Sequence, residues 1–384
     1  MQSLPEGTLS PPGGLWRAAP AARDMSGTDP EIRSAYEQHV RRAPRPRRLG
    51  RRLAALGVFL TIVAAVAAVV IVSLHLHPFN IGEAAKTPTN TVPTGPTKPT
   101  TPRSQTAVAT SSAGLLSAPL SRVAAAPYGS GGALLLGGLD AAGSPTDAVQ
   151  NFQIGNVTSA GTLPAPDASA VAAVLGGNVF LFGGTSSTIY QLSGTSFEIA
   201  GNLPAATADA AVATVGGTAY VIGGISGTTE LDTIVAFTPG STPQTVATLP
   251  VTLRYATAAA LGGQVYIIGG ATAGAPSATV YRFDPSTNAV TTFTTLRHAR
   301  DRESAATLGG RIYVIGGESA SGTRSRAIYA ISPASGTVSL AGILPVALAD
   351  ATAVTGNGVI IVAGGTGSSG APLASIYQIK RTAP

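Results

Sequence analysis

The chain has 384 residues, no cysteine, four histidines and a formal net charge of +6. Without cysteine there are no disulfides and no thiol catalysis, which suits an exported protein of a bacterium that does not rely on disulfides. The charge is uneven: residues 1–106 carry 13 Lys/Arg against 6 Asp/Glu, and 107–384 carry 11 against 12. The basic excess is therefore confined to the N-terminal part, and nucleic acid is not expected as a partner.

Residues 1–52 read as a basic, disordered cytoplasmic tail ending in "RRAPRPRRLGRR" (41–52), seven arginines in twelve residues. Residues 53–74, "LAALGVFLTIVAAVAAVVIVSL", carry no charge. Twenty-two helical residues span about 33 Å, enough for a bilayer core of about 30 Å. The stretch exceeds the 7–15 apolar residues of a cleaved signal peptide, so it reads as a single-pass signal anchor. Beyond it the only basic residues up to position 106 are Lys86, Lys98 and Arg103. The positive-inside rule then puts the N-terminus in the cytoplasm and the rest outside the cell membrane. Residues 75–105 form a linker whose core, "TPTNTVPTGPTKPTTP" (87–102), has seven Thr and five Pro, the composition of an extended stalk.

From 106 to 384 the sequence repeats. A short β-branched and aromatic run is framed by two glycine pairs, as in "LGGNVFLFGGTS" (175–186), "VGGTAYVIGGIS" (215–226), "LGGQVYIIGGAT" (261–272) and "LGGRIYVIGGES" (308–319). Looser copies are "GSGGALLLGGLD" (129–140) and "GNGVIIVAGGTG" (356–367). The second pairs are Gly137-Gly138, Gly183-Gly184, Gly223-Gly224, Gly269-Gly270, Gly316-Gly317 and Gly364-Gly365, at steps of 46, 40, 46, 47 and 48 residues. A period in this range signals a repeat architecture. A leucine lies twenty residues before each of the last five pairs (Leu163, Leu203, Leu249, Leu296, Leu344), and a third and fourth apolar run follow each pair. Each unit thus reads as four short strands. The first glycine pair supplies the positive φ of a two-residue hairpin turn. The strand before it is built of Ala, Ser and Thr ("ASAVAAVL", "DAAVATVG", "DATAVTG"), side chains small enough for strands converging on one axis.

These glycine pairs resemble those of kelch repeats, in the manner of the central domain of galactose oxidase. The resemblance covers six units and implies an all-β, six-bladed, membrane-anchored kelch-type β-propeller. The fourth strand departs from the kelch pattern: the usual Trp is replaced by Phe197, Val157, Val290 and Val338. The last unit lacks its fourth strand, and "TAVATSSAGLL" (106–116) resembles one, so the N-terminal strand is expected to complete the sixth blade and hide two sheet edges. Third-strand Tyr190, Tyr281, Tyr329 and Tyr377 are expected to pack between blades.

The repeats carry one histidine, His298, and no cysteine, which excludes the copper-radical chemistry of galactose oxidase and any multi-histidine metal site. No Asp-box, G-x-S-x-G, H-E-x-x-H or phosphate loop is present, and no cofactor or metal is expected. In a chain that is 11% charged, charges cluster in the loops that open on one face. "LRHARDRESA" (296–305) supplies Arg297, His298, Arg300, Asp301, Arg302 and Glu303; "ESASGTRSR" adds Glu318, Arg324 and Arg326; Arg254 and Tyr255 enter from the unit before, with Asp209 and Asp350 aligned in others. They form either mutually paired loop charges or a site for an anion such as a carboxylated glycan or an acidic peptide loop, for which arginine's bidentate donors suit. The reading is a monomeric extracytoplasmic propeller that binds a protein or glycan without catalysis. The alternatives are a sugar isomerase resembling the kelch-type sialic acid mutarotases, with Asp301 or Glu303 as acid/base, and a surface sensor.

Overall fold

A computed structural model describes residues 107–382, all within the compact unit Lys98–Pro384. The expected tail (1–52), membrane span (53–74) and stalk (75–105) lie outside the described residues. Among the described residues every regular element is a strand, and no helix is long and apolar enough to cross a membrane.

The first strand, β1 (Val108–Leu120), finds its partner only at the far end of the chain. Next, β2 (Ala124–Tyr128), β3 (Gly132–Leu136), β4 (Thr146–Gln153) and β5 (Asn156–Asp167) make an antiparallel four-stranded sheet in sequence order. So do β6 (Ala170–Leu175), β7 (Asn178–Gly183), β8 (Thr188–Ser193) and β9 (Ser196–Asn202). The third sheet holds β10 (Ala211–Val215) and β11 (Thr218–Ile222), then, after a small loop hairpin of β12 (Ile225–Ser226) and β13 (Thr229–Glu230), β14 (Thr233–Phe237) and β15 (Gln244–Thr248). A larger sheet follows, with β16 (Thr257–Leu261), β17 (Gln264–Ile268), β18 (Ala271–Thr272), β19 (Ala275–Asp284), the 20-residue β20 (Ala289–Leu308), β21 (Arg311–Glu318), β22 (Ser325–Ile331) and β23 (Val338–Leu348). The last sheet runs β24 (Thr352–Gly356), β25 (Val359–Ala363), β26 (Leu373–Arg381) and then β1.

The sheets therefore do not divide into the six separate blades expected: four are separate four-stranded blades, and the strands of the fourth and fifth sequence units share one sheet. The cause is β20. Its first part pairs with β19 as far as Ser277↔Arg300, and its last part pairs with β21 from Asp301↔Glu318 to Leu308↔Arg311. Arg300 and Asp301, adjacent in the chain, pass the pairing directly from β19 to β21, so the strand runs on. The innermost strands still close a circle, β2 neighbouring β6, β10, β16, the end of β20 and β24 in turn, with β24 back against β2.

Closure is as the sequence implies, with β1 antiparallel to β26 from Val108↔Arg381 to Leu120↔Leu373. Side-chain size grows from the innermost strand to the third, as in Ala258↔Ile267↔Tyr281 and Ala305↔Val314↔Tyr329. Tyr281 and Tyr377 are buried, and Tyr190 and Tyr329 are partly buried, each packed against the core between neighbouring units. The result is a wedge with its thin edge inward, around a channel of about 410 Å³ lined by residues of 123–127, 170–174, 210–214, 256–260, 303–307 and 351–355.

The second glycine pair has a separate reason from the first. A Cβ on Gly183 would overlap the carbonyl oxygen of Thr207, which the Gly184 N–H meets at 2.8 Å. The same clasp joins Gly137-Gly138 to Asp167, Gly223-Gly224 to Leu253 and Gly364-Gly365 to Leu120. The chain entering the next unit is thereby pinned against the glycines of the unit before. At Gly269 the group that fills this space is the carboxyl of Glu303.

Candidate functional site

Five of the residues that precede the innermost strands, Arg122, Asp209, Tyr255, Arg302 and Asp350, have φ between 54° and 58°. Positive φ in non-glycine residues costs of order 1 kcal/mol or more each, and persists where the surroundings impose it. Here backbone hydrogen bonds impose it. The N–H of Arg122 donates to Asp350 O at 2.8 Å, Asp350 to Arg302 at 3.0 Å, Arg302 to Tyr255 at 3.1 Å, Tyr255 to Asp209 at 3.0 Å and Asp209 to Ser169 at 3.0 Å. The hoop is open only at Ser169, whose N–H donates instead to Asp167 Oδ1 at 2.8 Å.

The side chains of these six residues surround a depression of about 150 Å³ at the channel mouth, with Glu303 in its wall. Tyr255 is its centre: the guanidinium carbons of Arg302, Arg254 and Arg122 lie 4.0, 5.0 and 5.6 Å from its ring centroid. Each arginine also has a carboxylate. Arg122 pairs with Asp209, Arg302 Nη1 with Asp350 at 3.1 Å, and Arg254 Nε with Glu230 at 3.1 Å. Glu230 also accepts from Ala273 N–H at 2.8 Å and Thr252 Oγ1 at 3.2 Å, tying β13 to the approach of β16. The loop after β21 is paired as well, Arg324 Nη2 lying 3.0 Å from Glu318 Oε2. Arg324 Nε donates to Thr366 Oγ1 at 3.0 Å, and that hydroxyl lies 3.3 Å from Asp350 Oδ2. Mutual pairing thus accounts for Arg254, Arg302 and Arg324.

The expected cluster is only partly assembled. Tyr255, Arg302 and Glu303 line the mouth depression. Asp301 is half-buried beside Arg302, 4.0 Å away, and burial raises its carboxyl pKa against the lowering by Arg302. Arg297 and His298 are exposed on β20 and do not line the depression. Arg326 is exposed and donates from Nε to Leu344 O at 2.8 Å, which ties β22 to the outer strand β23. Arg300 is half-buried, yet its Nε and Nη1 are inaccessible and unpartnered.

Glu303 is 5% exposed, and no side chain pairs with its carboxyl. Burial pushes its pKa from 4.5 up to about 8. Its own N–H and Asp301 act in opposite senses, and Arg300 and the Gly270 N–H lower it only partly. The neighbouring units place Ala210, Ala256 and Ala351 at this position, so the carboxyl is particular to the fifth unit. Sequence reasoning missed Arg122, Ser169 and Glu230. Arg122 was findable, since it precedes "VAAA" as Asp209 precedes "AAVA".

A family profile described as Kelch motif matches residues 252–297, which run from the approach of β16 into β20. No curated protein matches the chain. Among solved structures, that of YjhT is similar with a TM-score of 0.60 at 15% identity, covering 68% of this chain and 95% of that one. At that identity the likeness speaks for the fold. The motif, the register of the glycine pairs and the closed circle of inner strands make this chain a kelch-repeat β-propeller.

Proposed function

We propose that the protein is an extracytoplasmic, membrane-anchored propeller that binds a protein or glycan ligand at the channel mouth without transforming it. The hoop of backbone-bonded Arg122, Ser169, Asp209, Tyr255, Arg302 and Asp350 carries this reading. It fixes alternating donors and acceptors around an aromatic ring in a shallow depression, and strained backbone of this kind concentrates at binding sites. The charge-free stretch 53–74 and the arginine run before it support the anchor and its orientation. The full chain on glycan and peptide arrays should retain one ligand class, and Tyr255→Ala should weaken it by about 30-fold or more, as a central aromatic anchor does. Retention unaffected by Tyr255→Ala, or no retained class at all, overturns the proposal.

A second reading, proton transfer on a sugar ring, is favoured by one observation: the carboxyl of Glu303 has a pKa near neutrality, where a group can both give and take a proton. Faster exchange of sugar anomers by the full chain, lost in Glu303→Gln, would establish it. Unchanged exchange rates would dismiss it.

A further inference from the structure

The face opposite the mouth carries charge of its own. Residues 303–307 line the channel from the mouth inward, and the hairpin turn Gly309-Gly310 follows at the far end of that strand. Arg311 opens β21 just after the turn, and Arg381 ends β26 in the neighbouring unit. Both line one cleft of about 640 Å³ at this base, together with Gln264, Tyr266, Gly309 and Ser332. The lining has two arginines and no carboxylate. Among the described residues neither guanidinium lies within 4.0 Å of a carboxylate oxygen. Asp284, the acid at the turn after β19, accepts instead from Ser286 N–H at 2.9 Å and Ser286 Oγ at 2.7 Å.

The two arginines converge. Alternation along β21 puts Arg311 on the side of Tyr313, and alternation along β26 puts Arg381 on the side of Ile379. Tyr313 and Ile379 belong to one buried cluster, in the seam between the fifth and sixth units. Arg381 reaches across that seam: a Cβ on Gly309 would meet its Cδ at 2.7 Å and its Cζ at 2.9 Å. Tyr313 is fully buried, and its hydroxyl has no partner. Burial raises the pKa of that hydroxyl, while Arg381 and Arg311 both lower it, so both positive charges act on one point. Like charges brought together repel, and an anion shared between them removes that cost.

We propose that Arg311 and Arg381 form a second binding site, at the base of the propeller, for an oxyanion of the phosphate type. A phosphate monoester carries close to two negative charges at neutral pH, which match two guanidiniums, whereas a carboxylate would leave one unbalanced. The planar N–H forks of arginine pair with phosphate oxygens two at a time, and Ser332 in the wall adds a hydroxyl. The phosphate belongs either to a free anion or to a monoester lipid headgroup. The headgroup has a structural basis. Ala107, where the chain from the expected membrane span reaches the propeller, accepts from the N–H of Thr382 at 3.0 Å, one residue beyond Arg381. The site is independent of the mouth and of whatever binds there.

The test is titration calorimetry of the full chain at neutral pH and constant ionic strength. The probes are inorganic phosphate, glycerol phosphate as an acyl-free headgroup, and acetate. At least one phosphate should bind about tenfold or more tightly than acetate, and the tighter of the two identifies the source. Arg311→Ala and Arg381→Ala should each weaken that binding by about tenfold or more, as hydrogen bonds between charged groups are lost. Lys380→Ala removes an adjacent exposed cation that does not line the cleft, and should leave the affinity unchanged. Melting curves certify that each variant is folded. Arg311→Lys and Arg381→Lys keep the charge without the fork, and should weaken binding by a few-fold even where an alanine variant unfolds. Failure of both phosphates to bind, or acetate binding as tightly, overturns the proposal. So does an equal loss in Lys380→Ala, which would mean unspecific attraction by a basic surface.

Discussion

The guanidinium of Arg302 lies 4.0 Å from the ring centre of Tyr255 and holds Asp350 at 3.1 Å with the same group. It thereby links three consecutive members of the hoop through side chains as well as backbone. Asp350, whose side chain is 9% exposed, depends on Arg302 and Thr366 for its hydrogen bonds. Arg302→Ala should therefore destabilise the propeller by about 1–3 kcal/mol, the range for a buried acceptor deprived of a charged donor. Denaturant unfolding checks it, and a change below about 0.5 kcal/mol would place the pair among solvent-screened surface contacts.

The two glycine pairs of one unit should respond differently to the same substitution. Gly176 has positive φ with open space around its Cβ position, so Gly176→Ala should cost about 1 kcal/mol. Gly183→Ala adds a clash with the Thr207 carbonyl and should cost at least 3 kcal/mol or prevent folding. Similar melting temperatures for both variants would reject the clasp as the reason for the second pair.

Glu303 makes stability depend on pH in the unusual direction for an acid. With its folded-state pKa raised from 4.5 to about 8, the folded chain keeps a proton that the unfolded chain has lost. Stability from this group is complete below pH 4.5, falls as pH rises towards about 8, and changes little beyond. The slope is at most about 1.4 kcal/mol per pH unit. Asp301, also raised by burial, acts in the same sense. Denaturant midpoints of Glu303→Gln between pH 5 and 8 should be flatter than those of the unaltered chain, and parallel profiles would refute the assignment.

Removal of residues 106–114 takes away the part of β1 that pairs with β26 from Val108↔Arg381 to Gly114↔Ile376, and exposes a sheet edge. A chain starting at Leu115 should aggregate or melt far below one starting at Lys98. Equal melting would show that the β1–β26 pairing does not hold the ring.

The proposed orientation places the propeller outside the cell. Protease treatment of intact cells should release a soluble fragment of about 280 residues by cutting the Thr/Pro stretch. Protection of the propeller would reverse the topology.

The repeat was legible in the sequence because its constraints are local. A hairpin turn needs glycine at fixed positions, and converging strands need Ala where others use Leu. The joining of two units through β20 was less legible: it depends on Arg300 pairing with β19 and Asp301 with β21, a long-range register that no local residue type marks. The mouth was half legible. Tyr255, Arg302 and Glu303 stood out as unusual residues in an Ala-rich chain. Charge alone could not separate Arg302, which is internally paired, from Arg300, which is not. It also drew in Arg297, His298 and Arg326, which the strand geometry turns away from the axis. Arg122 escaped because it lies in the least regular unit, where alignment on the inner strand was needed to see it.

The β1–β26 seam also sets a schedule. Roughly 250 residues separate the two strands, so during synthesis β1 emerges long before its partner exists. At about 5–20 residues per second it waits from roughly a dozen seconds to nearly a minute. Over that interval its backbone donors and acceptors are open to wrong partners, including the same strand of another nascent chain. The four exposed or half-exposed polar residues Thr110, Ser111, Ser112 and Ser117 keep this strand water-compatible while it waits. The circle is thus completed only once β26 has been made, and a ribosome that stops short of Leu373 yields a chain that cannot close.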